Sequence, residues 1–338
     1  MTLPVSLIDM PDLVLNNIFS NSDPRSILVL RKVCRDLRNY IDDVKPDLQI
    51  KCIEISIGLT RQRAREVSLI LMASKSSHHI FYRKYRNGTM VVCGKKKKVL
   101  EDADYFNVFY EELDFLLSRQ KSLLNSFRLN LTEYDSEFSK LLKRTLKNKN
   151  EFQELEVEYF QIKADKHQVF EILSNISPKS LSRIELHLAK PTEIETEQLE
   201  FMDRFHDTKE LYMENIIILG RVECFIHLSR AEITVYRVTV EELFLLKEAF
   251  LENRHFKHFL LHYRHFVDDG ISYLRRIILE NRRLRETFGP PSTTNNKSKE
   301  MEWYFKIPFT DDALYFFFSY QRSRFARVPL SVVPNVAV

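Results

Sequence analysis

Apolar residues recur at helical spacing in three short stretches at the start of the chain, within residues 14–19, 27–33 and 34–41. The first stretch is a continuous stripe, since apolar positions three or four residues apart lie on one face of an α-helix. Asp23 precedes the second stretch and can cap it, while Pro11 supplies the φ angle that suits the start of a helix. The pattern predicts three short helices within about forty residues.

The next segments predict a strand, a helix and a hairpin. Residues 47–57 alternate between apolar and polar positions as a strand does, and residues 60–73 follow as a polar helix. The dipeptide Asn87-Gly88 lies between two alternating segments and predicts a tight turn, because both residues tolerate a positive φ angle. Residues 105–124 carry apolar side chains at helical spacing, which predicts a helix with one buried face.

Beyond residue 125, short segments in which every second residue is apolar recur along the chain. Their centres lie 22 to 29 residues apart, near residues 129, 157, 186, 212 and 234, and helical segments separate them, at 136–146, 166–176, 193–205 and 239–253. Thr192 with Glu195, and Thr239 with Glu242, have the spacing of a capping box. A strand and helix repeated at this period predict a leucine-rich-repeat-like β/α solenoid. An ordinary α/β domain with a parallel sheet is the alternative.

The end of the chain is predicted to close the series. A strand at 258–263 and a helix at 268–281 continue it, a mobile loop rich in Pro, Ser, Thr and Asn follows at 288–299, and closing strands follow at 303–307 and 314–319. The whole pattern predicts a mixed α/β (α+β) fold in four regions: a three-helix module at 1–46, a connecting hairpin and helix region at 47–125, a repeat domain at 126–320, and a flexible tail at 321–338.

Charge and cysteine usage narrow the class of protein. The 338 residues include 51 basic and 47 acidic side chains, so the charge does not by itself indicate a nucleic-acid surface, and we do not expect nucleic acid as a partner. The four cysteines lie far apart, which argues against a disulfide framework. Asp9 and Asp12 stand where an export signal would carry basic residues, and no apolar run is long enough to cross a bilayer. We therefore expect no membrane contact and a place in the cytosol or nucleus.

The sequence offers no catalytic motif. Its six glycines are isolated from one another, so they form neither a phosphate-binding loop nor a nucleophile elbow. The metal-like cluster comprises His255, His258, His262 and His265. A strand would scatter these side chains over both faces, and no cysteine or carboxylate pair completes a site. We therefore predict no enzyme activity, no cofactor and no bound metal.

The first fifty residues resemble the F-box family. Its motif is matched by Met10-Pro11, by the segment 14–19 and by Val33-Cys34. Leu37 stands where the family has a tryptophan, and Leu13 where many members have an acidic residue. The resemblance implies that these helices bind the Skp adaptor of cullin-RING ubiquitin ligases, and the predicted adaptor-binding residues are Pro11, Val14, Leu15, Ile18, Phe19, Leu28, Val33, Cys34 and Leu37.

The remainder of the chain resembles the FTH domain that follows the F-box in many nematode F-box proteins. The resemblance rests on the order of hairpin, long helix containing residues 114–121, and repeats. It implies that this half binds the substrate. Strand residues that point away from the core are the candidate partner-binding residues, namely Glu156, Glu158, Glu185, His187, Tyr212, Glu232 and Tyr236. Their acidic character predicts a basic or mixed-charge partner segment, and a merely solvated strand face is the alternative.

These observations together predict a substrate-recognition subunit of a Skp–cullin–F-box ubiquitin ligase. Its partners would be a Skp-type adaptor, a cullin and an unidentified protein target. A non-degradative interaction scaffold is the first alternative. A weaker one is RNA binding through residues 95–98, four consecutive lysines that a solvated turn beside a sheet edge explains more simply.

Overall fold

The computed structural model describes residues 7–59, 65–74, 76–131, 138, 140–142, 144–145, 155–195, 205–267, 276–295 and 300–334, with the backbone alone over 276–281. The chain divides into two compact units, Met1–Leu181 and Ser182–Val338. Each unit combines helices with a sheet, so the fold is mixed α/β as predicted. Among the described helices, none combines the length and apolar character that crossing a bilayer requires.

Three short helices open the first unit, as the sequence predicts: α1 (Asp12–Ser20), α2 (Pro24–Leu30) and α3 (Arg35–Val44). Asp23 caps α2, because its Oδ1 accepts from the backbone N–H groups of Arg25 at 2.9 Å and Ser26 at 3.1 Å. The apolar stripes of the helices are buried, with Leu15, Phe19, Ile27, Leu37 and Ile41 all at most 5% exposed.

Seven of the described strands lie in the first unit, together with two further helices. These elements are β1 (Ile50–Leu59), β2 (Arg65–Ala73), β3 (Ser76–Tyr85), β4 (Gly88–Cys93), β5 (Lys96–Leu100), α4 (Tyr105–Arg119), β6 (Leu124–Asn130), β7 (Val157–Ala164) and α5 (Lys166–Leu173). Strands β1 to β5 form an antiparallel meander, while β6 pairs in parallel with both β1 and β7. The sheet order is therefore β7-β6-β1-β2-β3-β4-β5.

The polar helix predicted over 60–73 is wrong for the described residues. Strand β2 occupies Arg65–Ala73, and residues 60–64 lie outside the described part. Its buried side chains are Val67, Leu69 and Leu71, which have the period of two that a strand requires. Pairing with β1 on one side and β3 on the other provides the hydrogen bonds of this segment, so tertiary contacts outweigh local polarity.

The hairpin between β3 and β4 turns one residue earlier than predicted. Arg86 and Asn87 form the two-residue loop, and Arg86 has the positive φ of 53°. Gly88 is instead the first residue of β4, paired with Tyr85. A Cβ atom at Gly88 would lie 2.1 Å from the carbonyl oxygen of Leu100, so glycine is needed here for close approach of the backbone.

Replacing Gly88 by alanine is expected to destabilise the first unit by about 1–3 kcal/mol, because the clash is with backbone rather than with a flexible side chain. Urea denaturation of the two proteins measures the difference. Alanine at Gly58, where a Cβ meets nothing within 4 Å, is the matched control. An equal, small effect of both substitutions would contradict the steric account.

The second unit contains eight of the described strands, paired partly in parallel and partly antiparallel. Its elements are β8 (Arg183–Ile194), β9 (Glu210–Ile218), β10 (Arg230–Thr239), α6 (Val240–Glu252), β11 (His258–Val267), α7 (Arg276–Phe288), β12 (Thr293–Asn295), β13 (Glu300–Lys306), β14 (Asp312–Ser319) and β15 (Arg322–Pro329). Strands β8 to β11 are parallel neighbours in chain order. Antiparallel β15 pairs with β11, followed by β14, β13 and β12.

The two predicted capping boxes have different outcomes. Thr239 caps α6 as predicted, because its Oγ1 accepts from the backbone N–H of Glu242 at 3.2 Å and Glu242 Oε2 accepts from that of Thr239 at 2.8 Å. Thr192 instead lies within β8, which continues to Ile194, and its hydroxyl donates to the carbonyl of Lys190. The predicted helix at 193–205 therefore does not begin at residue 193, and residues 196–204 lie outside the described part.

The predicted flexible tail is wrong for residues 322–329, which form β15. This strand is held between β11 and β14, and Phe325 at its centre is fully buried. The predicted loop at 288–299 is also interrupted by strand β12, with residues 296–299 outside the described part. The helices predicted at 136–146 and 268–281 are helical where described, at 138, 140–142 and 144–145 and from Arg276 onward.

Candidate interaction surfaces

The three N-terminal helices display apolar side chains in addition to burying a core. Six of the nine predicted adaptor-binding residues are exposed or half-buried, namely Pro11, Val14, Ile18, Leu28, Val33 and Cys34. Val14 is 40% exposed and Val33 is 64% exposed. Cys34 also accepts a hydrogen bond at Sγ from the backbone N–H of Leu37 at the start of α3. A group of exposed apolar side chains on so small a module indicates a surface that a partner covers.

The other three predicted residues lie in the helical core. Leu15 and Phe19 are 1% exposed and Leu37 is 5% exposed, so none of them can be a direct contact in this conformation. The resemblance selects them because they occupy positions of the family motif, with Leu37 at the position of the tryptophan. Sequence reasoning also missed Leu13 and Val29, which are 82% and 54% exposed and add to the apolar surface.

A charge cluster fixes α3 to α4. The guanidinium of Arg31 donates from Nε to Asp42 Oδ1 at 2.8 Å and from Nη2 to Asp42 Oδ2 at 2.9 Å, and Arg119 Nη2 donates to Asp42 Oδ1 at 2.7 Å. Both guanidinium groups also lie over the ring of Phe115, with centroid distances of 4.8 Å and 3.7 Å. The hydrogen bond from Arg31 and the charges of both arginines hold the pKa of Asp42 below its ordinary value.

A second set of polar contacts lies beside this cluster. The side chain of Gln120, which follows α4, accepts from the backbone N–H of Ile50 at 3.0 Å and donates to its carbonyl at 2.9 Å. Asp47 Oδ1 accepts from the backbone N–H groups of Lys121 at 3.0 Å and Ser122 at 3.3 Å. The segment that leaves the three helices is therefore tied to the end of α4 through both Asp47 and Ile50.

The outward face of β8 to β10 carries a cross-strand network of opposite charges. Glu210 of β9 is in register with both Arg183 of β8 and Arg230 of β10. Arg230 Nη1 lies 3.0 Å from Glu210 Oε1, and Arg183 Nη1 lies 3.7 Å from Glu210 Oε2. Arg183 also contacts Glu185 on its own strand. These carboxylates are therefore paired with arginines rather than left free for a partner.

His187 lies between two carboxylates on the same face. Its Nδ1 is 2.7 Å from Glu214 Oε2 and its Nε2 is 3.6 Å from Glu185 Oε2. Hydrogen bonding to Glu185 and Glu214 raises the pKa of His187, against the opposing effect of partial burial. The protonated imidazolium is thus stabilised by folding. The interaction of protonated His187 with the two carboxylates contributes fully to stability below the unfolded pKa of about 6.5. This contribution is lost as the pH rises through the raised pKa of the folded state.

Replacing Glu214 by glutamine is expected to lower the pKa of His187, because one of the carboxylates that stabilise the imidazolium becomes neutral. Titration of the imidazole resonances by NMR measures this shift. Glu195→Gln, at an exposed carboxylate outside this cluster, is the control. An unchanged pKa in Glu214→Gln would show that the imidazole and this carboxylate do not interact in solution.

The remaining candidate partner-binding residues are distributed over both units. In the second unit Tyr212 lies under the guanidinium of Arg183 at 4.8 Å, Glu232 lies 3.8 Å from His262, and Tyr236 is 37% exposed beside His265. In the first unit Glu156 and Glu158 are exposed at the start of β7.

The register of β7 differs from the alternation that selected these two glutamates. Gln161 is paired with the outward-facing Arg128, whereas Phe160 and Ile162 are buried. The outward positions of β7 are therefore Tyr159, Gln161 and Lys163. Among the described residues, no group of three or more His, Cys, Asp or Glu side chains is arranged to hold a metal ion.

Two family models match the chain. The F-box domain model matches residues 7–49, which contain α1, α2 and α3. The FTH domain model matches residues 136–306, or 171 of the 338 residues. The chain belongs to the F-box proteins that carry an FTH domain. Both are families of interaction domains rather than enzymes, and F-box proteins act in ubiquitin ligase complexes through protein–protein contacts.

A curated relative of this F-box protein is F-box A protein 224 of Caenorhabditis elegans. The two are 24% identical over 265 residues, which cover 72% of this chain and 63% of the relative. The match thus spans less than two thirds of the relative's length. No solved structure matches the chain. The F-box domain implies a Skp-type adaptor as the general kind of partner.

Proposed function

We propose that this F-box protein is the substrate-recognition subunit of a Skp–cullin–F-box ubiquitin ligase. The observation that carries the proposal is the exposed apolar surface on α1 and α2 and the loop after α2, above a core that is already filled. An F-box domain with such a surface fits the adaptor as its partner. The protein would then act in the cytosol or nucleus together with the adaptor and the cullin.

The predicted adaptor-binding residues have two different roles in this proposal. Pro11, Val14, Ile18, Leu28, Val33 and Cys34 contact the adaptor, together with Leu13 and Val29. The buried side chains Leu15, Phe19 and Leu37 instead hold the helices in the arrangement that displays this surface. Leu37 occupies the family's tryptophan position within that core, so its replacement affects the packing of α3 rather than the contact itself.

The FTH domain is proposed to bind the target protein through the outward faces of its strands. Parallel neighbours in chain order, with helices after several strands, support a leucine-rich-repeat-like solenoid, whose open strand faces are suited to extended partners. The protein itself does no chemistry. It raises the effective concentration of a target lysine near the ubiquitin-charged enzyme, which is the contribution expected of a tethering subunit.

Proximity labelling in cells tests this proposal. The intact chain is compared with the double variant Val14→Asp/Val33→Asp, which alters exposed positions and leaves the core in place. We expect the intact chain to label a Skp-type adaptor and a cullin, and the variant to lose both while it still labels the targets. Labelling of the adaptor without a cullin would favour the non-degradative scaffold, and labelling of neither would overturn the proposal.

A further inference from the structure

The outward face of the strands of the second unit carries a basic and aromatic surface where the strands are antiparallel. On this face Leu260 of β11 is in register with Arg324 of β15, and Arg324 is in register with Phe317 of β14. Two residues further along β11, His262 is in register with Arg322. On the other side of Arg324, Tyr315 of β14 is in register with Tyr304 of β13, and their ring centroids are 5.2 Å apart.

We call this surface the basic–aromatic patch, made of Leu260, Tyr304, Tyr315, Phe317, Arg322 and Arg324. Both arginines are exposed, and the four other side chains are half-buried. The guanidinium of Arg322 lies 5.4 Å from the ring centroid of Phe317, so the cation and the apolar ring form one continuous surface.

Some charged side chains on this face have a partner of opposite charge, and others do not. On the parallel strands Glu185, Glu210 and Glu214 each have an arginine or histidine beside them. Within the part of the chain that the structure describes, neither Arg322 nor Arg324 forms an ion pair with a carboxylate. At this end of the face the charge left available is therefore positive and suits an acidic partner, whereas the sequence predicts a basic or mixed-charge partner segment.

Glu302 borders the patch, and its oxygens are already occupied. The Tyr315 hydroxyl donates to Oε1 at 2.8 Å, and the Thr293 hydroxyl donates to Oε2 at 2.6 Å. Strand β14 lies between Glu302 on β13 and Arg324 on β15, so Glu302 does not pair directly with that guanidinium. An incoming carboxylate can thus reach the arginines without displacing an internal partner.

We infer that the basic–aromatic patch binds an acidic peptide segment of the target protein. Aspartate or glutamate side chains of that segment pair with Arg322 and Arg324, and an apolar side chain packs on Leu260 and Phe317. The inference rests on the proposed function for its assumption that the FTH half of the chain binds a target. Leu260 and Tyr304 lie within the residues that the FTH model matches, and the other four members of the patch follow them in the chain. An acidic peptide fits better than RNA, because Glu232 and Glu302 flank the patch and would repel a continuous chain of phosphates.

Peptide display tests the inference. The full-length protein serves as bait for an unbiased library of random peptides. The enriched peptides are expected to carry a net negative charge with aromatic or aliphatic residues between the acids. A synthetic copy of the most enriched peptide should bind Arg322→Glu/Arg324→Glu about a hundredfold more weakly, since two charge-assisted contacts are lost. Lys97→Glu/Lys98→Glu, which makes the same change of charge on exposed β5, should bind like the original protein.

Several outcomes would overturn the inference. These are selection of peptides without excess negative charge, failure to enrich any peptide, or full binding by the arginine variant. Tighter binding of a 20-nucleotide uridine RNA that depends on the same arginines would assign the patch to nucleic acid instead. Peptide binding by the neutral variant Arg322→Gln/Arg324→Gln is measured beside that of the charge-reversed variant Arg322→Glu/Arg324→Glu. Thermal unfolding of both variants verifies that the sheet is intact.

Adaptor capture by the same proteins separates this inference from the proposed function. The arginine variants are expected to retain the adaptor, because their substitutions lie in the other unit. If the unaltered protein fails to capture the adaptor, the proposed ligase function fails while the peptide result still stands. If it captures the adaptor but enriches no acidic peptide, only the assignment of the patch fails.

Discussion

Replacing Asp42 by alanine is expected to lower the free energy of unfolding of the first unit by about 2–3 kcal/mol. The carboxylate accepts three hydrogen bonds from Arg31 and Arg119, and the side chain of Arg119 is only 8% exposed. Its removal leaves a largely buried guanidinium without its partner, which costs about 3–5 kcal/mol in fully buried pairs and less here, because Asp42 is 33% exposed. Urea denaturation followed by circular dichroism measures the change.

Two further variants make this expectation specific to the charge cluster. Asp43→Ala removes the neighbouring carboxylate, which is exposed, and should change the free energy of unfolding by less than about 0.5 kcal/mol. Arg119→Met in the Asp42→Ala background removes the unpaired charge and should restore part of the loss. Equal effects of Asp42→Ala and Asp43→Ala would contradict the role given to the cluster.

The double substitution Val14→Asp/Val33→Asp is expected to weaken adaptor binding by at least about a hundredfold. Both side chains are exposed, so the free protein tolerates aspartate, whereas a complex would have to bury two carboxylates against an apolar partner surface. Pull-down with a purified Skp-type adaptor at graded concentrations measures the loss, and an unchanged unfolding midpoint shows that the helices remain folded.

The choice of position matters in this experiment. Aspartate at Phe19, which is 1% exposed, would abolish binding by disrupting the helical core and would say nothing about the contact. Leu245→Asp, at a 48% exposed apolar position on α6, is the matched control and should leave adaptor capture intact. Undiminished capture by the valine variant would show that the adaptor binds elsewhere.

Features determined by neighbours in the chain were predicted well from sequence. The Asp23 cap of α2 and the Thr239–Glu242 capping box are both present, because each is formed within four residues. The buried stripe of α1 was likewise found, since helical periodicity alone specifies it. Which stripe members remain exposed was not predictable, because that depends on how α1 packs with the other helices.

Features that depend on distant pairing were missed. Strand β2 contains enough polar residues to suggest a helix and becomes a strand through its partners β1 and β3. Strand β15 was predicted as a flexible tail, although it pairs with β11, some 60 residues earlier in the chain. The turn at Arg86 and Asn87 was displaced by one residue, because the close approach of Leu100 to Gly88 determines the register.

In the interaction surfaces too, local features could be predicted from sequence and features that depend on distant contacts could not. The candidate residues of the F-box were found from a local motif, whereas the charge on the strand faces depends on cross-strand neighbours. Glu185, a predicted acidic contact, is instead paired with Arg183 on its own strand and lies beside His187. The cluster at Asp42 could not be predicted either, since Arg119 lies 77 residues away along the chain.

Calorimetric titration of a purified Skp-type adaptor into the full-length protein tests the central claim most directly. We expect saturable binding of one adaptor per chain, with a dissociation constant of about 1 μM or tighter, as is usual for a specific protein interface. Absence of binding by the folded protein, or equally tight binding by Val14→Asp/Val33→Asp, would contradict the account.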